Sequence, residues 1–392
     1  MQTKPLFYGI ALACATLAAG GAAAPPAPPP QPPAAAPAAE PAAAQAAIDA
    51  AIDKGVAWLA ARQQPDGSWS NPNYPALTAL GLWALVKTGR ADDDVCRRAA
   101  AFVAGFAQPD GGIYKPATGG RGSGGLSTYN TAICMTALHA ADRAAYAPVI
   151  LKARTFVANS QLRGDSAGAG GFGYEGGGAA ASPRDRADLS NTGWALAAMR
   201  LTQDLEDLRP AGGRKADVDW SAALAFVEKL QNRDAADTAN HGGFGYEAGG
   251  ARGGAAEGAS GSRGAVTLRG FGSMTYAGLE SMIYAQVGRD DPRVRSAIAW
   301  AARHWSVDEN PGMGSKGLYY YYTIMAKALL LAGGDTLPGE TGAPIPWKQD
   351  LAAKLLREQK PDGSWSNSDN TFWEGDPVLV TAYSLLTLGM MQ

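Results

Sequence analysis

The side chains able to do chemistry in this chain are few and dispersed. Glu175 and Glu247 each end a copy of the hexapeptide GGFGYE, at Gly170–Glu175 and Gly242–Glu247, and Asp188 follows the first copy. A glycan-active barrel needs such carboxylates as a pair across a groove. The acidic run Asp92–Asp94 and the pair Asp290–Asp291 stand at the starts of apolar-periodic segments, where an N-cap belongs. His139 and His304 end helical segments and His241 lies in a Gly-rich loop. No two have metal-ligand spacing, and a helix C-terminus suits the first two as dipole partners. No metal site and no cofactor is expected. The thioester string C-G-E-Q, a G-x-S-x-G elbow and a phosphate-binding loop are absent.

The elements that would position these groups are legible. PDGSWSN occurs at Pro65–Asn71 and Pro361–Asn367, preceded by Gln63 and Gln359, with a worn copy at Gln108–Tyr114. A repeat flanked by apolar segments implies an array of one supersecondary unit. The 3.6-residue period predicts six helical pairs: Ala46–Gln63 with Pro75–Thr88, Asp94–Phe106 with Ser127–Ala141, and Pro148–Gln161 with Asp188–Thr202. Val218–Gln231 with Ser273–Val287, Pro292–Trp305 with Leu318–Ala332, and Trp347–Gln359 with Pro377–Met390 complete them. Gly89, Gly288 and Gly333 read as stops. The second helix of each pair is apolar on most faces and the first is not, so second helices form an inner ring and first helices an outer one. Six pairs suffice to close the ring and remove the ends of an open solenoid. Gln63, Trp69, Gln359 and Trp365 are read as scaffold that satisfies helix ends.

Composition narrows the function. The net charge of −2 over 392 residues, without a basic stripe, argues against a nucleic-acid partner. Residues 1–24 read as a secretory signal: Lys4, the apolar run Leu6–Ala19, then small residues, too short to span a membrane. Ala11–Cys14 allows a lipid anchor at Cys14. Residues 25–45 are a Pro/Ala-rich tether, and 46–392 form the domain, placed in an extracytoplasmic compartment. Cys96 and Cys134 are expected as free thiols at mismatched heights.

The stretch KGVAWLAARQQPDGSW (Lys54–Trp69) resembles the QW repeat of squalene and oxidosqualene cyclases, shared with protein prenyltransferase β subunits. KLLREQKPDGSW (Lys354–Trp365) keeps its second half. The resemblance implies an all-α fold, the (α/α)6 toroid of six helical hairpins. It does not carry the chemistry across. The D-x-D-D of class II terpene cyclases and the D-D-x-x-D of class I synthases are missing. In the prenyltransferase pattern Asp188 and Trp194 match, while Ser190 stands at the zinc-ligand Cys and Ser273 at the His. A hydroxyl is a poor zinc ligand. Asp188, the one matching catalytic position, is the acid–base candidate.

Parallel inner helices would gather their N-termini at one mouth, where unpaired N–H groups favour an anion. Arg184, Arg186, Arg269 and Lys316 precede these helices, while Asp188, Glu374 and Asp376 oppose the effect. Candidate ligand contacts are Tyr129, Asn130, Asn191, Trp194, Tyr276, Tyr320 and Asp376, with Arg269 and Lys316 at the rim. The functional expectation is a toroid holding an isoprenoid-like or other apolar ligand. The alternatives are a protein-interaction module presenting the Gly-rich loops to a partner, and a glycan-active barrel using Glu175, Glu247 and Asp188.

Overall fold

The computed structural model describes residues 41–90, 92–119, 124–176, 186–248, 269–339 and 342–392. The signal, Cys14, most of the tether, Arg184 and most of the two Gly-rich loops lie outside these residues. The chain forms α1 (Pro41–Ala60), α2 (Pro75–Thr88), α3 (Asp93–Ala104), α4 (Ser127–Ser160), α5 (Leu189–Leu201), α6 (Trp220–Lys229), α7 (Gly272–Tyr284), α8 (Pro292–Arg303), α9 (Leu318–Ala332), α10 (Trp347–Glu358) and α11 (Pro377–Met390). Helix α1 starts at Pro41, inside the stretch expected as tether, and the short pair β1 (Leu337–Pro338) and β2 (Pro344–Ile345) interrupts the helical pattern.

Helix α4 holds two of the expected helices in one run. Asp142, at φ −158° and ψ 90°, breaks it, and its carboxylate accepts from the amides of Ala144 and Ala145. The first half is then the second inner helix and the second half the third outer one. With that division the six hairpins are present. The inner helices meet in the order α2, α4, α5, α7, α9, α11, and α11 packs back on α2. The molecule is an all-α (α/α)6 toroid. Inner helices such as α2 and α11 bury nearly every residue, whereas α3 and α8 bury one face, as the apolar patterning requires.

One turn is repeated around the ring. The amide of Gln63 donates to Gly67 in its own turn and to Val95 in the next outer helix. Gln161 joins Gly170 and Asp219, and Gln231 joins Gly242 and Arg293. Gln359 joins Gly363 and Ala51, tying the last hairpin to the first. The indoles of Trp69 and Trp365, both fully buried, donate to the Leu59 and Leu355 carbonyls that end their outer helices. Residues Trp69, Ile113, Phe172, Phe244 and Trp365 each donate their backbone N–H to a threonine hydroxyl near the start of an inner helix: Thr78, Thr131, Thr192, Thr275 and Thr381. Only glycine serves at position 363. Its φ is +94°, and a Cβ would lie 2.6 Å from the Lys54 carbonyl oxygen of α1.

Cys96 and Cys134 are free. Asp92 and Asp291 cap α3 and α8 as expected. His304 stacks on Trp300, and His139 meets Asp204 at 2.8 Å. Among the described residues no helix is long and apolar enough to cross a membrane.

Replacing Gln359 by Ala leaves the Ala51 and Gly363 carbonyls without their donor. The expected loss of stability is about 1–3 kcal/mol, read from urea unfolding. An unchanged midpoint would show that the ring closes without this bridge.

Candidate functional site

All six inner helices contribute residues from their first two turns to a cavity of about 530 Å³ at one mouth of the ring. Ala76, Leu77 and Leu80 come from α2, Tyr129 and Asn130 from α4, Ser190 from α5, Ser273 and Met274 from α7, Tyr320 from α9, and Leu379 and Tyr383 from α11. Loop residues complete the wall, among them Tyr74, Tyr174, Tyr246, Phe372 and Trp373. Among the described residues that line it there is no lysine, arginine or carboxylate.

The N-termini that meet here are already capped. Asn130 Oδ1 accepts from Ala76 of α2 at 3.0 Å. Glu175 accepts from Leu126 and Ser127 at the start of α4, at 2.6 and 3.1 Å. Asp188 caps α5 through Asn191 at 2.8 Å, and Asn310 receives Ser273 of α7 at 2.9 Å. Glu374 accepts from Tyr319 and Tyr320 of α9, and Asp376 from Val378 of α11. Four of these six groups are carboxylates, so the positive helix ends are met inside the protein. The expectation of a cationic, donor-rich rim is therefore corrected. Lys316 and Arg269 are exposed and outside the wall, and Arg186 lies 3.1 Å from Glu247.

The other expected contacts divide. Tyr129, Asn130 and Tyr320 line the cavity, although both polar ends of Asn130 serve helix ends. Asn191 and Asp376 lie in the capping layer, and Asp376 also receives the Ser70 hydroxyl. Trp194 stands one layer below, its ring centroid 6.4 Å from that of Tyr320. Beneath the cavity the ring axis is filled by a buried ion pair. Lys327 Nζ is 3.3 Å from Glu280 and 4.5 Å from the Trp194 ring centroid. Tyr276 packs on Tyr321 in the core and is absent from the wall.

Asp188 is buried, does not line the cavity, and is joined to it through a phenol. Its carboxylate takes the Asn191 amide at 2.8 Å and Asn191 Nδ2 at 2.7 Å, and the Tyr246 phenol is near enough to favour its charged form. The Tyr246 hydroxyl is 3.0 Å from that of Tyr174, which is partly exposed. Burial outweighs these hydrogen bonds and pushes the Asp188 carboxyl up to about 7. Burial likewise raises Glu374 and Glu280. A carboxyl at about 7 can exchange a proton near neutrality, but it is far from the strong acid that alkene protonation requires.

Ser190 and Ser273, the positions aligned with zinc ligands, both reach the cavity. Ser190 Oγ is 3.0 Å from the Tyr320 hydroxyl, and Ser273 Oγ accepts from Asn310 at 3.2 Å. Two hydroxyls and a capping carboxylate do not fit zinc. Among the described residues no cluster of three His, Cys, Asp or Glu could hold a metal. The glycan pairing also lacks geometry: Glu175 and Asp188 cap helices and Glu247 meets Arg186.

Sequence reasoning did not find Tyr74, Tyr174, Tyr246, Tyr383, Phe372 or Trp373. For Tyr174 and Tyr246 a signal existed, since they are the tyrosines of the recurring GGFGYE. Their carbonyls accept the Thr128 and Leu189 amides that start α4 and α5. The motif thus seats a tyrosine on the wall and closes a neighbouring helix end in one stroke.

The type II terpene cyclase MstE from Scytonema is similar in structure. Its complex with merosterolic acid A aligns with 90% of this chain and 100% of the cyclase, at 13% identity and a TM-score of 0.53. Its complex with geranylgeranyl dihydroxybenzoate covers 89% and 99%, also at 13% and 0.53. A wild-type glycosidase aligns over 89% of this chain and 98% of its own at 14% identity, with a TM-score of 0.48. No protein-family model matches the chain, and no curated protein matches it. At these identities the likeness is one of fold: a terpene cyclase-like α/α toroid.

Because the folded value of Asp188 lies above its ordinary 3.8, the folded state holds a proton that the unfolded chain has released between those values. Stability from this group is therefore lost as pH rises through about 4 to 7. Asparagine keeps the cap without the charge. The stability of Asp188→Asn relative to wild type should rise between about pH 5 and about pH 8 in urea unfolding. Parallel profiles would sink the assignment.

Proposed function

We propose that this protein binds an isoprenoid-like or similarly apolar small molecule in the mouth cavity of its toroid. The observation that carries the reading is the wall itself: about 530 Å³ bounded mainly by aliphatic and aromatic side chains, with no charged residue among the described lining residues. That volume lies in the range of small-molecule sites, which are apolar with a few polar groups to orient the ligand. Here the polar groups are phenols and two serine hydroxyls. They suit a hydroxyl, carbonyl or phenol head better than a diphosphate, because the helix-end donors that would hold a diphosphate are occupied by carboxylates and carboxamides.

Binding is a better reading than cyclisation. Class II chemistry needs a strong acid at the alkene. The Asp188 carboxyl does not line the cavity, is raised to about 7, and lacks the flanking aspartates of D-x-D-D. MstE is described with a geranylgeranyl-bearing substrate, which supports an apolar ligand by analogy of fold alone. The N-terminal signal and tether support action outside the cytoplasm, with Cys14 as the residue a lipid anchor would use.

Farnesol and farnesyl diphosphate provide the test, by isothermal titration. Farnesol should bind at least about tenfold more tightly than its diphosphate. Leu77→Trp, which fills the cavity from α2, should abolish farnesol binding at a stability cost of about 1–3 kcal/mol. Preference for the diphosphate, or farnesol binding that survives Leu77→Trp, would remove the reading.

A further inference from the structure

Two consecutive aromatic residues at the cavity mouth adopt a backbone conformation that aromatic residues rarely take. Phe372 has φ 60° and Trp373 φ 68°. Left-handed geometry is costly for residues other than glycine and persists only where the surroundings over-determine it. Here they do. Asp369 accepts from Thr371 at 2.7 Å, and Asn370 Oδ1 accepts from Gly375 at 3.1 Å. Glu374 is buried against the start of α9 and takes Asn367 Nδ2 at 2.7 Å. Asp376 is fixed on α11 and to Ser70. The backbone is thus tied down on both sides of the pair.

The rings these ties hold in place are under-used. Phe372 is 62% exposed and Trp373 43%, yet both line the cavity. Trp373 meets the edge of Tyr74 at 4.8 Å, ahead of α2. Phe372 leans over Gly317, where an added Cβ would lie 3.3 Å from its ring. The turn therefore spans the mouth from the α9 side to the α2 side. Neither ring has a polar partner to explain its position, and burying them in the core would relieve the cost of exposure. Strain maintained by several anchors, in support of exposed apolar surface facing a cavity, is the arrangement expected of a ligand contact.

Resting on the proposed binding of an apolar ligand, we infer that Phe372 and Trp373 form an aromatic clamp at the mouth, which grips the part of a long apolar ligand that emerges from the cavity. The clamp makes the site selective for length. A ligand short enough to stay inside touches at most part of it, while an extended isoprenoid or alkyl chain covers both rings.

The test compares farnesol with cyclohexanol, a probe small enough to stay within the cavity, on wild type, Phe372→Gly and Trp373→Gly. Glycine accepts the left-handed backbone, so the melting temperature should hold or rise. Farnesol affinity should fall about tenfold in each variant, and cyclohexanol affinity should fall by much less, since only the long chain covers both rings. Farnesol binding that is equal in wild type and variants overturns the clamp and leaves the cavity reading standing. Equal loss of both probes, or a melting temperature lowered by several degrees, assigns the pair a structural role and overturns the clamp as well. Wild-type protein that takes up neither probe removes both proposals.

Discussion

Everything at the mouth of this toroid depends on a glutamine amide that bonds two carbonyls at once, one in its own turn and one in the next outer helix. A hairpin alone cannot bury its apolar helix, and at four of the six junctions the amide fixes one hairpin against the next. Gln359 applies the same bond between the last hairpin and the first, so the array becomes a ring rather than a solenoid with raw ends. The glycine that follows brings the turn onto the neighbouring helix, and the threonine of the inner helix takes the turn's amide. The inner helices are thereby held parallel with their N-termini level.

That level arrangement creates a problem which the sequence solves in an unexpected way. Six helix N-termini around one opening would present a concentration of unpaired N–H groups and positive potential. Each is closed by an acid or an amide, and most of those groups come from a neighbouring hairpin or from a loop. The closure neutralises the mouth and adds a second set of ties between hairpins. It also determines what the cavity can hold. With the donors spent in the wall, carbon and phenol are what a ligand meets.

Much of this was legible in the sequence, for reasons that differ by element. The hairpins could be read because apolar periodicity is dictated by burial, and the ring because the repeat implied a count. The Gln–Gly–x–Trp phrase announced its scaffold role because each of its residue types has few other uses in a turn. The caps were harder. Asp188 and Asp376 precede their helices in sequence and could be recognised, but Glu175 closes α4 from 48 residues away, and Glu374 reaches α9 from 54. No local pattern encodes such a partner. Reading the helix ends as open followed from that, and so did the expected anion. Trp194 and Tyr276 were misplaced for a related reason: helical position gives a face, while depth along the ring axis depends on the ion pair Lys327–Glu280 and the rings packed around it.

The least repetitive junction of the molecule borders the clamp. Four of the six junctions share the bridging glutamine, Gln108 bonds only carbonyls of its own turn, and the segment between α8 and α9 lacks the turn altogether. There Trp305 reaches Asp350 of α10 instead, at 3.1 Å, and Gly317 opens α9 in a left-handed conformation. The space above Gly317 is taken by Phe372, from the loop that departs most from ordinary backbone geometry. A symmetric scaffold offers identical turns at every junction, and identical turns can seal a ring but cannot distinguish one side of a ligand from the other. Replacing the turn between α8 and α9 gives the mouth a direction. Local rules fail most often where a site needs something the scaffold does not supply, and in this toroid the failures of repeat, of φ preference and of aromatic burial coincide at the same edge of the cavity.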